Sequence, residues 1–450
     1  LNLKYLRDLD ENNKIVLQVN YTDSPYAYDS GGLKISEVEE DRRQSRKNNF
    51  DYDTYEKVRH VKTGLSWKHI NDNNSFIDSY FFYQKRDFNS KLPFNYGGII
   101  FLERDYYGIG TKYSKKFVSA NKTRTVTLGI DHTNQHDDRK RFKNNLGEQG
   151  EKTFDQIEKF KNTGVYLINQ TEYESGLLFR YGVRFDDNKI GTDSEEFISL
   201  NKFNPSLGLS YSINDSNNVY FSAGTSFETP TLNELSNNPN GNGLNKNLDP
   251  SSSVNYEIGW RKSASNLLLQ ATAYLINTDN EILPYEIEEF PGKNFYRNVG
   301  STRRYGIELS SQLLFSNGKL NLSYTNSKNL FKDFNLNGND LKDLSLPGIP
   351  DQILDIELIF NLSKGQSLSI SNRLIGELYA DNLNETKTSS YNLLNLTYSK
   401  QIFKNSQVYL GVNNLLDVNY YDNIRINAFG KRYFEPAPKR NFHFGINFSF

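Results

Sequence analysis

Short and long connections alternate between strand-like segments along the whole chain. In these segments every second residue is apolar, and most have the roughly 9–11 residues that a tilted strand needs to cross a bilayer. The short connections are polar turns at 7–13, 70–74, 213–217, 263–266, 316–319, 363–366 and 403–407. The long connections are 24–56, 86–103, 135–161, 228–252, 281–300, 330–346, 379–389 and 415–439. A soluble sandwich has no reason to place every long loop at one end, whereas a transmembrane β-barrel has short turns on one side and long loops on the other.

Composition narrows the class further. No apolar run approaches the roughly 20 residues of a membrane helix. Charge is balanced, with 53 basic and 54 acidic residues, so nothing favours a nucleic-acid partner. Cysteine is absent, which excludes disulfides and thiolate metal sites. The chain begins with Leu and has no Met, so we expect that it continues a longer protein.

The alternation within each strand assigns its two faces. One face of segment 254–261 carries Val254, Tyr256, Ile258 and Trp260, and the other carries Asn255, Glu257, Gly259 and Arg261. Arg or Lys on the lipid face costs about 2–4 kcal/mol near the bilayer midplane, so the charged face is expected to line the lumen. We therefore predict an all-β, antiparallel transmembrane barrel with about 18–19 strands in this chain. The charged segment 31–48, inside the first long loop, is compatible with a short helix.

Four segments resemble the TonB-dependent outer-membrane receptors. They are GTSFETPTLNEL (224–235), NLDPSSSVNYEIGWR (247–261), NVGSTRRYGIEL (298–309) and NNLLDVNYYDN (413–423). The chain also ends on alternating aromatics and Phe450, as outer-membrane proteins do. The residues that carry the resemblance are Pro230, Glu234, Tyr256, Glu257, Gly259, Gly306, Glu308, Asn414, Asp417, Tyr420 and Phe450.

The resemblance implies a multi-pass protein of the bacterial outer membrane, with a 22-stranded barrel in the full receptor. Residues 1–450 would be the barrel, and the N-terminal plug and the first three or four strands would lie outside this chain. The implied partners are the TonB energy-coupling complex, acting through that plug, a small-molecule ligand, and the lipids and lipopolysaccharide of the membrane.

Loop segments that combine a cation with a neighbouring ring are the candidate ligand site. Arg and Lys attract anions, and Tyr and Phe offer faces for stacking. The candidates are Arg141, Phe142, Tyr296, Arg297, Arg432 and Tyr433. Together with the resemblance they point to active uptake of a scarce nutrient, in the first place a ferric siderophore. The alternatives are a receptor for cobalamin or another small cofactor, and a passive porin without a plug.

Catalytic and metal motifs are not evident in the sequence. His132 and His136 share a strand face, but they lie about 13 Å apart at the rise of an extended strand, which is too far to chelate one ion. No nucleophile elbow of the G-x-S-x-G type occurs. We therefore expect no enzyme activity and no resident cofactor, with iron present only as part of a transported chelate.

Overall fold

A single antiparallel sheet of 19 strands forms the wall of the molecule in the computed structural model, which describes residues 1–241, 243–363 and 365–449. Its strands are β1 (Asn2–Asp8), β2 (Asn13–Tyr28), β3 (Tyr55–Asp72), β4 (Ser75–Lys91), β5 (Ile99–Ser119), β6 (Lys122–Asn145), β7 (Glu148–Tyr173), β8 (Leu177–Thr192), β9 (Ile198–Asn214), β10 (Asn217–Glu228), β11 (Ser251–Ala264), β12 (Leu267–Tyr285), β13 (Phe295–Phe315), β14 (Gly318–Asp333), β17 (Gln352–Ser363), β18 (Gln366–Ile375), β21 (Tyr391–Phe403), β22 (Ser406–Asn413) and β25 (Asn441–Phe448).

The long loops contain the remaining elements. These are the hairpins β15 (Asn335–Leu336) with β16 (Asn339–Asp340), β19 (Leu378–Tyr379) with β20 (Lys387–Thr388), and β23 (Tyr421–Ile424) with β24 (Phe434–Pro436), the helices α1 (Ile35–Glu40), α2 (Lys47–Asp51) and α3 (Leu232–Ser236), and the 3-10 turn η1 (Phe429–Lys431). The segment 31–48, which is compatible with a helix by sequence, contains α1. None of the helices in the described residues is long and apolar enough to cross a membrane.

Each strand of the sheet pairs with the next one along the chain, from β1 to β25. This up-and-down order confirms the predicted antiparallel barrel wall and its strand number. Within the described residues, β1 pairs only with β2 and β25 only with β22, so these two strands are the edges of the sheet. Phe450 lies outside the described residues.

The prediction of a long loop at 135–161 is wrong. β6 and β7, which are 24 and 26 residues long, continue through it and meet at a turn formed by Leu146 and Gly147. Both turn residues have positive φ, 50° and 97°, as a type I′ hairpin turn requires. The loop predicted at 86–103 shrinks for a similar reason to residues 92–98, because β4 and β5 extend into it.

The outward face of β6 shows where the lipid ends. Leu128 and Ile130 are 55% and 48% exposed and face outward, as lipid-facing side chains would. Further along the same face stand the polar His136 and Asp138. Because charged side chains are costly on the lipid face, the outer boundary of the membrane lies between Ile130 and His136. The rest of β6 therefore stands outside the membrane.

The predicted faces of β11 are confirmed. Tyr256 and Ile258 are exposed on the outer surface, while Glu257 accepts a hydrogen bond of 2.6 Å from the Tyr220 hydroxyl of the neighbouring strand. The guanidinium of Arg261 stands 4.7 Å from the centre of the same tyrosine ring. The lumenal wall is thus polar and hydrogen-bonded, and the outer wall is apolar.

Tyrosine rings cover glycines directly opposite them on the lumenal face. At Gly259 an added Cβ would lie 2.3 Å from Cε1 of Tyr220, so only glycine leaves room for the ring. Four further pairs repeat this arrangement, and they are Tyr80 with Gly110, Tyr166 with Gly129, Tyr274 with Gly306, and Tyr409 with Gly445. The rings tie neighbouring strands together across the wall.

Three small apolar cores hold the long loops in place. One joins the first and last long loops and contains Leu33, Val38, Ala380, Ala428, Tyr433 and Phe434. A second packs α3 on the wall and contains Ile190, Leu232, Leu235, Leu244 and Leu248. The third folds the loop after β14 and contains Val299, Phe331, Leu341 and Leu346. The loops therefore form an ordered outer mouth.

Candidate functional site

Cationic side chains line the lumen just inside the outer mouth. The strand register places His60, Arg86, Arg104 and Asp137 side by side on the lumenal face of β3 to β6. Arg104 forms an ion pair with the fully buried Asp137, with Nη2 and Oδ2 2.6 Å apart. Arg86 has no such partner, since no carboxylate of the described residues lies within 4.0 Å of it.

Arg86 is a partly buried cation that no anion neutralises in the described structure. Its guanidinium stands 5.4 Å from the centre of the Phe88 ring, and its buried Nε has no hydrogen-bond partner in the described structure. Burial and the neighbouring Arg104 lower the pKa of Arg86. A buried donor without a partner is costly, so an acceptor that reached it from the lumen would be stabilised.

Arg141 continues this surface above the membrane. Its Nη2 donates 2.8 Å to the Asn237 side-chain oxygen and 3.3 Å to the Ser236 carbonyl. Burial, followed by repulsion from Arg139, lowers the pKa of Arg141 to about 10. Its Nε also has no hydrogen-bond partner among the described residues. The neighbouring Arg139 differs, because its guanidinium is neutralised by Glu158 at 2.8 Å.

Lys293 reaches the same region from the loop between β12 and β13. Its ammonium stands 5.2 Å from the centre of the Phe290 ring and 4.7 Å from that of Phe295. Burial is the main cause that lowers the pKa of Lys293 to about 7, and the charges of Arg141 and Arg139 add to it. No carboxylate of the described chain pairs with it. The surface formed by Arg86, Arg141 and Lys293 is called the cationic wall below.

The pairs of neighbouring residues singled out by the sequence do not act as pairs. Arg141 and Phe142 point to opposite faces of β6, as successive strand residues must. Arg141 instead lies 5.2 Å from the ring centre of Phe154, while Phe142 packs edge-on against Phe101 at 5.6 Å.

Tyr296 and Arg297 likewise contact different partners and not each other. Arg297 stands 3.6 Å from the ring centre of Tyr285, and Tyr296 packs against the core under α3. Burial is the main cause that lowers the pKa of Arg297 and raises that of Tyr296. Arg297 therefore has an aromatic partner, although not the one that the sequence suggested.

Arg432 and Tyr433 lie in the last long loop, where each has a structural partner. Arg432 donates to both carboxylate oxygens of Glu37, at 2.7 and 2.6 Å. Tyr433 is only 6% exposed, and burial raises its pKa to about 12. Of the six candidates, the structure thus brings Arg141 to the cationic wall and ties Arg432 and Tyr433 into the loop core. A role of all six in binding ligand stays a prediction.

Comparison with known proteins decides the family. The family model described as TonB dependent receptor-like, beta-barrel, matches residues 3–415. The chain belongs to the TonB-dependent receptors. It is therefore a bacterial outer-membrane β-barrel and not an enzyme, as the sequence predicted.

Individual relatives of this receptor barrel are distant. The chain is 28% identical over 285 residues to the vitamin B12 transporter BtuB of Photobacterium profundum, covering 61% of this chain and 42% of BtuB. It is 22% identical over 313 residues to the probable TonB-dependent siderophore receptor PiuA of Acinetobacter baumannii, covering 64% of this chain and 41% of PiuA. The chain thus spans less than half the length of these two relatives.

Solved structures share the receptor fold. The unliganded ferric citrate transporter FecA superimposes with a TM-score of 0.82 at 18% identity, covering 99% of this chain and 69% of FecA. The ferric-catecholate import receptor Fiu of E. coli K12 superimposes with a TM-score of 0.73 at 15% identity, covering 100% of this chain and 79% of Fiu.

Most residues that carry the family resemblance have structural roles in this receptor barrel. Glu234 and Thr231 form a reciprocal capping box that begins α3 after the buried Pro230. Tyr256 faces the lipid, Glu257 holds the Tyr220 hydroxyl, and Glu308 lines the lumen near Gly306. These contacts position the mouth and the wall.

The segment around Asn414 fixes the start of the last long loop. The Asn414 side chain donates to the Val418 carbonyl and accepts from the Val418 amide, both at 2.9 Å. Asp417 accepts from the Arg440 amide at 3.0 Å, and Tyr420 packs on Tyr391 with ring centres 5.0 Å apart. These contacts therefore fix the start of the last long loop against the residues that follow the loop and against Tyr391.

The sequence did not indicate two cations of the cationic wall, Arg86 and Lys293. Arg86 fell in a segment assigned to a loop, although a longer strand would have placed it on the lumenal face with Gln84. Lys293 lies in an irregular loop, and no local pattern indicates that Phe290 and Phe295 enclose it. Within the described residues no group of three or more His, Asp or Glu side chains could hold a metal ion. The expectation that no cofactor resides in the protein stays a prediction.

Proposed function

We propose that this barrel belongs to a receptor for the active uptake of an anionic metal chelate, in the first place a ferric siderophore. The observation that supports the proposal is the cationic wall, where the half-buried Arg86 and Lys293 and the buried Arg141 have no carboxylate partner among the described residues. The siderophore receptor PiuA among its relatives is consistent with such a ligand.

Binding needs no chemistry on the ligand. An anion that reaches the cationic wall would supply the acceptors that the Nε groups of Arg86 and Arg141 lack. It would also favour the protonated form of Lys293, whose ammonium then sits between the ligand and the rings of Phe290 and Phe295. The exposed rings of the mouth offer faces on which an aromatic chelator could stack.

Transport would draw on energy from outside the barrel. We propose, from the family resemblance, that a plug domain beyond this chain fills the lumen and that the TonB energy-coupling complex pulls on it. The polar lumenal wall, with Glu257, Arg261 and Glu308, would then face the plug. The passive porin remains the alternative without a plug, and it predicts uptake that does not depend on the TonB complex.

The first prediction concerns Arg86 in the full-length protein. A charged hydrogen bond contributes about 1.5–3 kcal/mol, so Arg86→Gln should weaken binding of a ferric siderophore about tenfold to a hundredfold. Isothermal calorimetry with ferric catecholate and ferric citrate chelates measures the affinity. Lys85→Gln is the matched control, because Lys85 neighbours Arg86 on the opposite, outward face and pairs with Glu103. Equal affinities of the two variants would refute the proposed site.

Cobalamin is the second candidate, favoured by the match to BtuB. The two ligands differ in charge, so they should respond differently to the same variant. Binding of cobalamin that survives Arg86→Gln, with no binding of either iron chelate, would replace the siderophore by a neutral cofactor.

A further inference from the structure

We propose that the outer surface of the barrel carries a specific site for a glycerophospholipid between β9 and β13. A hollow of 590 Å³ opens on the lipid-facing wall there. Its side walls and floor are apolar, and the residues that line it include Leu209, Tyr211, Phe221, Trp260, Ala271 and Ala273. This site is separate from the cationic wall and does not depend on the proposed ligand.

Small residues on one strand create the hollow. Ala271 and Ala273 of β12 lie side by side with Trp260 and Ile258 of β11 in the strand register. On their other side the register places Leu309 and Ile307 of β13. Since one strand presents methyl groups and its neighbours present long side chains, a trough runs along β12 between two apolar ridges.

The trough continues on the far side of Trp260. There Val219 of β10 lies opposite Trp260, and Tyr211 of β9 lies opposite Val219. Trp260 and Tyr211 are 36% and 45% exposed, near the short turns. The indole of Trp260 therefore stands as a divider between two apolar channels.

A cation without a carboxylate partner stands at the end of the trough nearest the short turns. Lys262 faces outward two residues beyond Trp260, in register with Leu269 of β12, and Leu269 is in turn in register with Ser311 of β13. No carboxylate of the described residues lies within 4.0 Å of it. The structure describes every residue of β9 to β13. In the halves of these strands nearest the short turns, Lys262 is the one charged side chain on the outward face.

These features fit one glycerophospholipid better than other occupants. Its two acyl chains would fill the channels on either side of Trp260, and its phosphate would meet Lys262 and the Ser311 hydroxyl. A second copy of the chain would bring a lipid-facing wall of its own with no anion for Lys262. Lipopolysaccharide belongs to the opposite leaflet, because Lys262 lies on the side of the short turns.

The test compares lipid retention by the full-length protein. After extraction in mild detergent and incubation with phosphatidylglycerol, native mass spectrometry should show one retained lipid. Loss of one cation–phosphate attraction should reduce the retained fraction of Lys262→Gln about fivefold. Ala271→Leu with Ala273→Leu should abolish retention, because the new side chains fill the trough.

Matched controls separate the site from general adhesion of lipid. Ala223→Leu places the same bulk on the lipid face outside the hollow, and Lys122→Gln removes a cation on the same side of the membrane. Both should retain the lipid as the unaltered protein does. Equal retention by Lys262→Gln and the unaltered protein, a preference for lipopolysaccharide, or a dimer in place of a lipid adduct would each overturn the proposal. Migration of unheated samples on gels shows that every variant is folded.

Discussion

Lys293 is a half-buried lysine of the outer mouth whose pKa is lowered by its surroundings. Its ammonium is enclosed by Phe290 and Phe295 and is close enough to Arg141 and Arg139 for their charges to lower its pKa. In the folded protein this pKa is about 7, below the ordinary lysine value of 10.5. Between these two values the unfolded chain binds more protons than the folded one, so the free energy of unfolding rises with pH in that window.

The second prediction follows at the residue scale. An anion that binds beside Lys293 raises its pKa, so binding takes up protons near neutrality and affinity falls as pH rises through about 7. Lys293→Arg keeps its charge throughout this range, so it should bind without proton uptake. Calorimetry in buffers of different ionisation enthalpy measures the protons taken up. Equal uptake by the variant and the unaltered protein would assign the titration to another group.

At the scale of elements, alternation predicted the strands inside the bilayer but not their extensions. In the bilayer one face must be apolar, so β11 can be read directly from its sequence. Above the membrane both faces of β6 are polar, as at His136 and Asp137, and the period-2 signal disappears. This is why 135–161 looked like a loop and why Arg86 was missed. Neighbouring residues were wrongly paired because a strand turns them to opposite faces.

The third prediction concerns the pairing of tyrosine with glycine across β10 and β11. A Cβ at Gly259 would meet Tyr220 at 2.3 Å, so Gly259→Ala should lower the free energy of unfolding by about 1–3 kcal/mol. Gly208→Ala is the matched control, because its Cβ would stand 3.9 Å from Cβ of Arg180. Urea titration of the protein in lipid vesicles gives both values. Adding Tyr220→Ala should remove most of the difference, and failure to do so would exclude the steric cause.

At the scale of the whole molecule, the first and last long loops are joined across the mouth. Leu33 and Phe434 exchange backbone hydrogen bonds of 2.8 and 3.1 Å. Arg425 bridges Asp29, with Nη2 and Oδ1 2.5 Å apart, and Glu435. These contacts bring together segments from opposite ends of the chain and give the mouth its shape. Local sequence patterns do not indicate them, because partners such as Asp29 and Arg425 lie 396 residues apart in the sequence.

The fourth prediction tests this junction. Removing Arg425 leaves Asp29 and Glu435 without their shared cation, which should loosen the loop that starts at Asp29 and contains α1 and Arg43. An exposed ion pair contributes up to about 1 kcal/mol and these pairs are half-buried, so Arg425→Ala should speed trypsin cleavage at Arg43 in intact cells by about fivefold or more. Arg303→Ala is the control, since its contact is a hydrogen bond to Asn277. Unchanged cleavage in Arg425→Ala would mean that the core around Leu33 is sufficient.

The hairpin of β6 and β7 extends well beyond the outer boundary of the membrane. From His136 to its tip at Leu146 and Gly147 it rises through ten residues, or about 30 Å at the usual strand spacing. Close to the tip, the buried Asn144 donates to the carbonyls of Tyr52 and Leu92, so neighbouring loops pack against the ribbon almost up to its turn. A protease outside the cell would therefore find open backbone only at the turn itself, where Leu146 is 67% exposed.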